Sequence, residues 1–303
     1  MNPEEQLQQY KATRYLRNAK DEALVKRLED IGLNLWSTDR DGNVISTRDQ
    51  AHRATLLKLY IDTLHEQHLR NPADLEFNEA NLRRKMSEKY SPPKLKNPVD
   101  FEPTCLAKFT KKKYALDALN KGLLRIAPAQ SYQDPSLNPA QKDDELSHHV
   151  QTPNEQIKFK LFGLDKQGHQ VELQAKPLEL FRYMEVPNFY VWCCGLGYDA
   201  RLFKEFGADA ALIVKDINAF IKRFIDAVHA QLPSAVFASG EIRYYDPYTA
   251  HRSQLIPIFS KHLRYLYQKE YRFAWKPEDS SDLKPFFVEL GPLHDIATVL
   301  ELA

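Results

Sequence analysis

Four prolines fall between residues 91 and 103 (SPPKLKNPVDFEP), and they limit the possible folds more than any other stretch. Proline fixes φ and lacks a backbone N–H, so neither a helix nor a central strand continues through such a segment. The residues before it have helical patterns, whereas short strands alternate with helices after it. The sequence therefore predicts a helical N-terminal region over residues 1–100 and an α+β domain over residues 101–303.

Two long helices are predicted in the N-terminal region. The first runs from about Pro3 to Asp30 and ends at Gly32. The second is amphipathic, because apolar and neutral side chains recur at three- to four-residue spacing on one face; these are Ala54, Leu57, Ile61, Leu64 and His68. Asp49 is the expected N-cap of this helix, and Asn71-Pro72 ends it.

After the prolines, the pattern changes to short apolar runs separated by turn residues. Strands are expected over residues 106–110, 123–127, 189–194, 210–215, 241–245, 270–275 and 285–290, with a hairpin over residues 157–175. Helices are expected over residues 111–121, with Gly122 as its C′ residue, 201–206, 217–232 and 254–267. Without a regular βαβ rhythm, this order predicts an α+β fold with a mixed, largely antiparallel sheet flanked by helices.

Composition excludes several classes of protein. The 303 residues carry 42 basic and 41 acidic side chains, so a net charge of +1 gives no overall attraction to nucleic acid or membrane. No run of about 18 apolar residues occurs, and the polar N-terminus does not resemble a signal peptide. Three cysteines, two of them adjacent, build no disulfide framework. We expect a cytoplasmic protein without a membrane partner.

The common catalytic motifs are also missing. The sequence has no GxGxxG, GxxxxGK[ST], HExxH or GxSxG motif, and only 10 glycines. Function must therefore be sought in local groups of side chains.

Glu270 and Arg272 form the first such group. On a strand they point to one face, while Tyr271 and Phe273 point to the other. A carboxylate held beside a guanidinium stays ionised, accepts hydrogen bonds from a sugar hydroxyl and stabilises a cationic transition state. The alternative is an exposed cross-strand pair without a functional role.

The polar loop that begins at Ser131 is the second group. Asp134 precedes a proline and is held extended, so its carboxylate is available to a partner next to Tyr132. Asp143, Asp144 and Glu145 follow, but they lack the spacing and the glycine of an EF-hand loop. The alternative is a turn followed by a solvated acidic stretch.

The third group is basic and lies on a predicted strand–helix–strand unit. A shared positive surface there suits phosphate groups, either of a dinucleotide or of RNA. Its members are Lys108, Lys111, Lys112, Lys113, Lys121 and Arg125. The alternative is a solvated, lysine-rich helix.

The histidines and cysteines do not indicate a metal site or a reactive thiol. His65 and His68 lie one helical turn apart without a third ligand at matching spacing, so no metal site is predicted. Cys193 and Cys194 lie in an apolar strand, where burial raises the pKa of a thiol and keeps it unreactive.

The order of these short motifs resembles that of a large, poorly characterised bacterial family found beside mobile elements and defence genes. Its pattern includes a Lys-aromatic strand end, an aromatic-Asn-Asp-Pro loop and a late Glu-x-Arg strand, and Gln133 replaces the asparagine here. The matching segments are 108–109, 122–125, 132–135, 191–193, 206–207 and 270–272. They span residues 103–290 and leave out the N-terminal helices.

The same order is distantly similar to that of ADP-ribosyltransferase-like toxins, which bind NAD across a split sheet. This similarity implies that Lys108 replaces their early histidine or arginine and that Glu270 is their late glutamate. Asp246-Pro247-Tyr248-Thr249 stands where those toxins have a Ser-Thr-Ser strand, and it departs from that pattern. With this resemblance, Glu270 and Arg272 are the predicted catalytic residues and NAD is the predicted cofactor. The predicted cofactor-binding residues are Lys108, Arg125, Tyr132 and Asp134.

The leading hypothesis is thus a bacterial defence or toxin-like effector that binds a nucleotide or small-molecule ligand, with NAD as the expected cofactor, and transfers ADP-ribose. One alternative is a metal-dependent nuclease, which requires Asp134, Glu241 and Glu270 to converge on Mg²⁺ near Arg243 or Arg272. Another is a non-catalytic protein whose N-terminal helices bind a protein partner. A nucleic-acid partner stays open as well.

Overall fold

The computed structural model of the chain describes all residues except 1–2, 40, 48–49, 73–78, 97–101, 103, 153–160 and 174–179. Over the described ranges, none of the helices combines the length and the apolar character needed to cross a membrane. The predicted cap Asp49 and part of the hairpin predicted over residues 157–175 lie outside these ranges.

The N-terminal region is helical, as predicted, with one small hairpin inserted. Its elements are α1 (Pro3–Thr13), α2 (Asp21–Asn34), β1 (Trp36–Thr38), β2 (Val44–Ser46), α3 (Gln50–Arg70) and α4 (Glu79–Lys89). The single helix predicted over residues 3–30 is wrong, because Arg14 adopts a φ of 36° and the chain turns before α2 begins. The Asp41-Gly42 turn separates β1 from β2, where Gly42 has a φ of 85°.

The described residues after the N-terminal region form the other strands and three further α-helices. In chain order these are β3 (Leu106–Thr110), α5 (Lys112–Lys121), β4 (Leu123–Pro128), β5 (Ser147–Thr152), β6 (Leu161–Leu164), β7 (Gln170–Leu173), β8 (Leu180–Glu185), β9 (Tyr190–Leu196), α6 (Arg201–Glu205), β10 (Ala210–Val214), α7 (Ile217–His229), β11 (Val236–Glu241), β12 (Arg243–Tyr245), β13 (Ser260–His262), β14 (Glu270–Lys276), β15 (Phe286–Glu289) and β16 (Ala297–Glu301). The predicted α+β class is confirmed.

Eight strands form the main sheet, in the order β11-β14-β9-β3-β10-β16, with β4 paired to both β9 and β15. All of these pairs are antiparallel. The parallel pair among the described strands is β12 with β13, outside the main sheet. The expectation of a largely antiparallel sheet flanked by helices is therefore confirmed.

One face of the main sheet carries the largest apolar core. Helix α7 begins at its N-cap Asp216, whose carboxylate accepts a hydrogen bond from the Ala219 N–H at 2.9 Å. Its buried side chains are Phe220, Phe224 and Val228, which pack against Trp192, Phe273 and Trp275 of the sheet. Helix α5 covers the same face through Ala118. The predicted inward side of residues 217–232 is thus confirmed.

The opposite face packs against α6 and, beyond it, contacts the N-terminal region through buried polar groups. Arg27 of α2 donates two hydrogen bonds to the carboxylate of Asp246, at 2.6 and 2.8 Å. Ser37 and Thr38 donate hydroxyl hydrogen bonds to Asp199, at 2.9 and 2.5 Å. Because buried charges are tolerated only when they are paired, these contacts fix the N-terminal helices on the sheet.

One predicted element is wrong in a place that matters for the site. Residues 254–267 do not form an α-helix; they form 3₁₀ turns on either side of strand β13. Pro257 stands early in this stretch, and β13 pairs with β12 over Ser260–His262. This strand pairing directs Lys261 inward, where it is buried.

Candidate functional site

A split in the main sheet creates the site. Strand β9 pairs with β4 at Val191 and Tyr190, and with β3 at Leu196 and Gly195. Between these two contacts β3 and β4 diverge, so residues 192–194 have no strand partner on that side within the described ranges. The unpaired backbone of β9 therefore faces an opening in the sheet.

A cavity of about 1110 Å³ occupies this opening. It is lined by side chains from β3, α5, β4, the loop after β4, β9, β13 and β14. Five of the six residues predicted to bind or act on a ligand line it: Lys108, Arg125, Tyr132, Asp134 and Glu270. The sixth, Arg272, is fully buried behind Glu270 and is not part of the lining.

The predicted cation and carboxylate come from opposite faces of the sheet. Lys108 shares the face of its register partner Leu212, which belongs to the core under α5 and α7. Glu270 pairs with Gly195 and points to the other face, as the alternation along β14 predicts. They reach one cavity because the sheet is split between them.

Arg125 instead lies on the same face as Glu270. In the pairing of β4 with β9, Ala127 lies opposite Val191. Arg125 is two residues before Ala127 on the same strand, so both side chains point to the same face. The side chain is exposed and makes no hydrogen bond or ion pair with any described residue. This guanidinium is therefore available to an anionic ligand.

Lys108 is half-buried and held at the split. Its ammonium donates a hydrogen bond to the Cys193 carbonyl at 2.6 Å and lies 5.2 Å from the ring centroid of Trp192. The carbonyl would otherwise lack a strand partner, so Lys108 has a structural role as well as a position in the cavity. An ammonium has three donors, and one is used here.

Glu270 is held by two buried cations. Its Oε1 accepts a hydrogen bond from Arg272 Nε at 2.8 Å, and Arg272 Nη2 lies 2.7 Å from the same oxygen as an ion pair. Its Oε2 accepts a hydrogen bond from Lys261 at 2.9 Å. Arg272 also contacts Glu145 at 2.6 Å. All four side chains are at most 6 % exposed, so the ionic cluster is buried and fixed.

The charges of this cluster shift one another's pKa values. Burial alone raises the pKa of a carboxyl, but Arg272 and Lys261 reverse that effect and hold the pKa of Glu270 well below its usual range. Burial lowers the pKa of Lys261 and of Arg272, yet the neighbouring carboxylates raise both pKa values well above normal. Glu270 is thus a carboxylate at neutral pH.

Asp143 adds a third carboxylate at the edge of the cluster. Its Oδ2 lies 3.6 Å from Lys261, and its Oδ1 lies 3.9 Å from Arg264. Burial, partly offset by Lys261 and reinforced by Glu145, raises the pKa of Asp143 to about 6. The acidic stretch had a solvated turn as its alternative interpretation; instead, Glu145 is buried and Asp143 is half-buried, both against Lys261.

Tyr132 and Asp134 lie in the loop that closes the cavity. Tyr132 accepts a backbone hydrogen bond from the Asp143 N–H at 3.0 Å, and so connects both ends of the loop. Asp134 is exposed, and its carboxylate accepts the Ser136 N–H at 2.8 Å. That hydrogen bond lowers the pKa of Asp134 and keeps it charged.

Sequence reasoning missed Lys261, Gln268 and the inward position of Glu145. Lys261 was assigned to a helix, and nothing in its local sequence distinguishes it from a surface lysine. Gln268 donates to the Ala140 carbonyl at 2.7 Å and thereby fixes the loop next to the cluster. The positions of all three side chains depend on contacts between residues more than a hundred positions apart in the sequence, or on the β12–β13 pairing.

The carboxylates required by the nuclease hypothesis do not come together. Glu241 is opposite Tyr271 in the β11–β14 register, and so lies on the other face from Glu270. Within the described ranges, no group of three or more His, Cys, Asp or Glu side chains is placed to hold a metal ion. Burial raises the pKa of Cys193 and Cys194, as expected for unreactive thiols.

No family model, curated protein or solved structure matches this chain. Its function is therefore inferred from the side chains of the cavity.

Proposed function

We propose that the cavity binds NAD and that the protein is an ADP-ribosyltransferase-like effector, of the kind that acts in bacterial defence or as a toxin. The observation that carries the proposal is the shared cavity: cations from β3 and β4 and the buried carboxylate Glu270 line one space. Its volume of about 1110 Å³ is sufficient for an extended ligand, since drug-sized molecules occupy roughly 300–1,000 Å³.

The cations near the split suit a diphosphate. No described residue forms a hydrogen bond or ion pair with the Arg125 side chain. A guanidinium binds phosphate oxygens through two parallel hydrogen bonds. Lys108 keeps two of its three donors after binding the Cys193 carbonyl. Together they supply positive charge on both sides of the opening.

Glu270 suits the ribose next to nicotinamide. When the C–N bond breaks, nicotinamide leaves with the electron pair and positive charge develops on the ribose C1′ and ring oxygen. A fixed carboxylate stabilises that charge without reorganising. Both oxygens of Glu270 are bound to cations, but a carboxylate has about four acceptor sites and still accepts a ribose hydroxyl.

The charge balance of the cluster favours a cationic transition state. Asp143, Glu145 and Glu270 face Lys261 and Arg272, which leaves one negative charge in excess when Asp143 is ionised. Of these three carboxylates, Arg264 forms an ion pair with Asp143, at 3.9 Å, and its side chain is 41 % exposed, so solvent screens its charge.

The test is to incubate the purified protein with NAD and to measure released nicotinamide by chromatography. We expect release by the wild type and its loss in Glu270→Gln, whose amide keeps the shape but not the charge. Because Glu270→Gln leaves Lys261 less compensated, the fold of the variant is checked by circular dichroism and thermal unfolding.

A second variant avoids the folding problem. Arg125 is exposed, so Arg125→Gln should leave the fold intact and raise the KM for NAD about 10-fold or more. Arg84→Gln, on the exposed surface of α4, is the matched control and should change nothing. Nicotinamide release that is unaffected by both site variants refutes the proposal.

A further inference from the structure

We propose that the rim of the cavity binds single-stranded nucleic acid. The rim is defined as Lys113, Tyr114, Arg125 and Phe287, all of which line the cavity. The proposal deepens the proposed function and rests on it only in one respect: the polynucleotide would be presented to bound NAD at the same opening. Nucleic-acid binding itself is a separate claim about the rim.

Two rim cations are left without protein partners. Neighbouring basic residues are engaged: Lys112 pairs with Glu301 at 2.7 Å, and Lys121 pairs with Asp117 at 3.2 Å. In the described part of the chain, the side chains of Lys113 and Arg125 have neither an ion pair nor a hydrogen bond. Positive charge without a partner of its own chain is what phosphate groups require.

Two exposed aromatic rings stand beside these cations. Tyr114 follows Lys113 and is 59 % exposed, and Phe287 is 52 % exposed. Phe287 lies directly opposite Arg125 in the β15–β4 register, so the ring and the guanidinium are cross-strand neighbours. A large apolar ring left in water at a cavity mouth is a typical surface for stacking a base.

The start of α5 is basic where helix electrostatics favour acid. Residues 111–113 are consecutive lysines, and the first turn contains no acidic residue. The helix macrodipole is positive at this end, so the lysines destabilise the helix locally. Asp209 compensates in part, because its carboxylate accepts the Lys112 N–H. Glu301 pairs with Lys112 as well, and the phosphates of the proposed ligand would offset the charge that remains on Lys113.

Exposed rings and cations that line the same cavity mouth favour a nucleic acid over an acidic protein. A polynucleotide offers phosphates and bases at alternating positions, which matches cation and ring in turn. An acidic peptide would use the cations but would gain little from exposed Tyr114 and Phe287.

The test measures fluorescence anisotropy of labelled oligo(U) and oligo(dT) of about 12 nucleotides, within the ~4–16 that single-strand sites cover. We expect binding to the wild type that weakens between about 50 and 200 mM salt. Lys113→Gln with Arg125→Gln should lower the salt slope by roughly 1.4, because each lost phosphate contact contributes about 0.7 for single strands.

The aromatic variants separate stacking from charge. Tyr114→Ala and Phe287→Ala should each weaken binding about 5- to 100-fold without changing the salt slope. The matched control is Lys222→Gln on the exposed surface of α7, which should bind as the wild type does.

Two outcomes overturn the proposal. The first is absence of oligonucleotide binding by the wild type. The second is binding that poly-glutamate displaces equally well and that the aromatic variants leave unchanged, which would identify the rim as a site for an acidic protein. NAD binding is titrated in the same samples, so a protein that binds the oligonucleotide but not NAD refutes only the proposed function.

Discussion

At the scale of single residues, the cluster around Lys261 is the most demanding feature of the structure. Lys261 is 5 % exposed in its side chain and lies within 4 Å of three carboxylates: Glu270 at 2.9 Å, Glu145 at 3.5 Å and Asp143 at 3.6 Å. A buried cation of this kind is stable only because its partners neutralise it. The cluster therefore fixes Glu270 at the cavity wall.

Lys261→Met should destabilise the protein by about 3–5 kcal/mol, because it leaves buried carboxylates without a cation. Urea denaturation measures the free energy of unfolding. Lys222→Met, at an exposed position of α7, is the control and should stay within about 0.5 kcal/mol of the wild type. Equal stability of Lys261→Met and the control would contradict the described cluster.

Asp143 should give the stability a specific pH dependence. Its folded-state pKa is raised from 3.8 to about 6, so between these values the folded protein holds a proton that the unfolded chain has released. This group therefore lowers the stability as pH rises through that window. Glu270, whose pKa is lowered, acts in the opposite direction below its usual pKa.

Asp143→Asn removes the contribution of Asp143 to the pH dependence of the free energy of unfolding. The contributions of the other titratable groups cancel when the variant is compared with the wild type. The stability of the variant relative to the wild type should increase from pH 4 to pH 7, over the window set by the pKa of about 6. Urea denaturation at several pH values measures the difference. A difference that is constant or that shrinks with rising pH would be inconsistent with a raised pKa of Asp143 in the folded protein.

At the scale of elements, the sequence predicts best those that depend on local pattern. The β14 alternation places Tyr271 and Phe273 in the core and Glu270 on the other face, as predicted. Gly122 ends α5 with a φ of 67°, as a C′ glycine should. The helix predicted over residues 254–267 is wrong, because the pairing of β12 with β13 overrides the helical spacing of this stretch. No local pattern in the sequence indicates that pairing.

The turn at Gly122 offers a test of close approach. A Cβ at Gly122 would lie 2.3 Å from the Gly291 carbonyl oxygen, whereas a Cβ at Gly168 meets nothing within 4 Å. Both glycines have positive φ, so both alanine variants carry the same kind of backbone strain. Gly122→Ala should cost at least about 1 kcal/mol more than Gly168→Ala in thermal or urea unfolding. Similar losses would mean that α5 and the end of β15 are not in contact.

At the scale of the whole molecule, the split sheet explains why only part of the site was predictable. The sequence predicts the residue types of the site, because the cation on β3 and the carboxylate on β14 lie in short strands with clear patterns. It does not predict that Lys108 and Glu270 line the same cavity. These residues lie on opposite faces of the sheet and share the cavity only through the gap between β3 and β4. Tertiary divergence of two strands leaves no local signal.

The N-terminal helices should unfold together with the sheet rather than as an independent region. Buried pairs such as Arg27–Asp246 and Thr38–Asp199 would lose their partners if the helices separated. Hydrogen exchange in increasing urea should therefore give α2 and β9 the same opening free energy. A markedly lower value for α2 would support an N-terminal region that folds on its own.

The central claim is that cations of the split and the buried carboxylate surround one bound dinucleotide. Calorimetric titration of NAD into the wild type, Arg125→Gln and Arg84→Gln measures this most directly. We expect binding to the wild type and to Arg84→Gln, and a Kd raised about 10-fold or more in Arg125→Gln. No heat of binding with the wild type, or the same Kd in all three proteins, would contradict the claim.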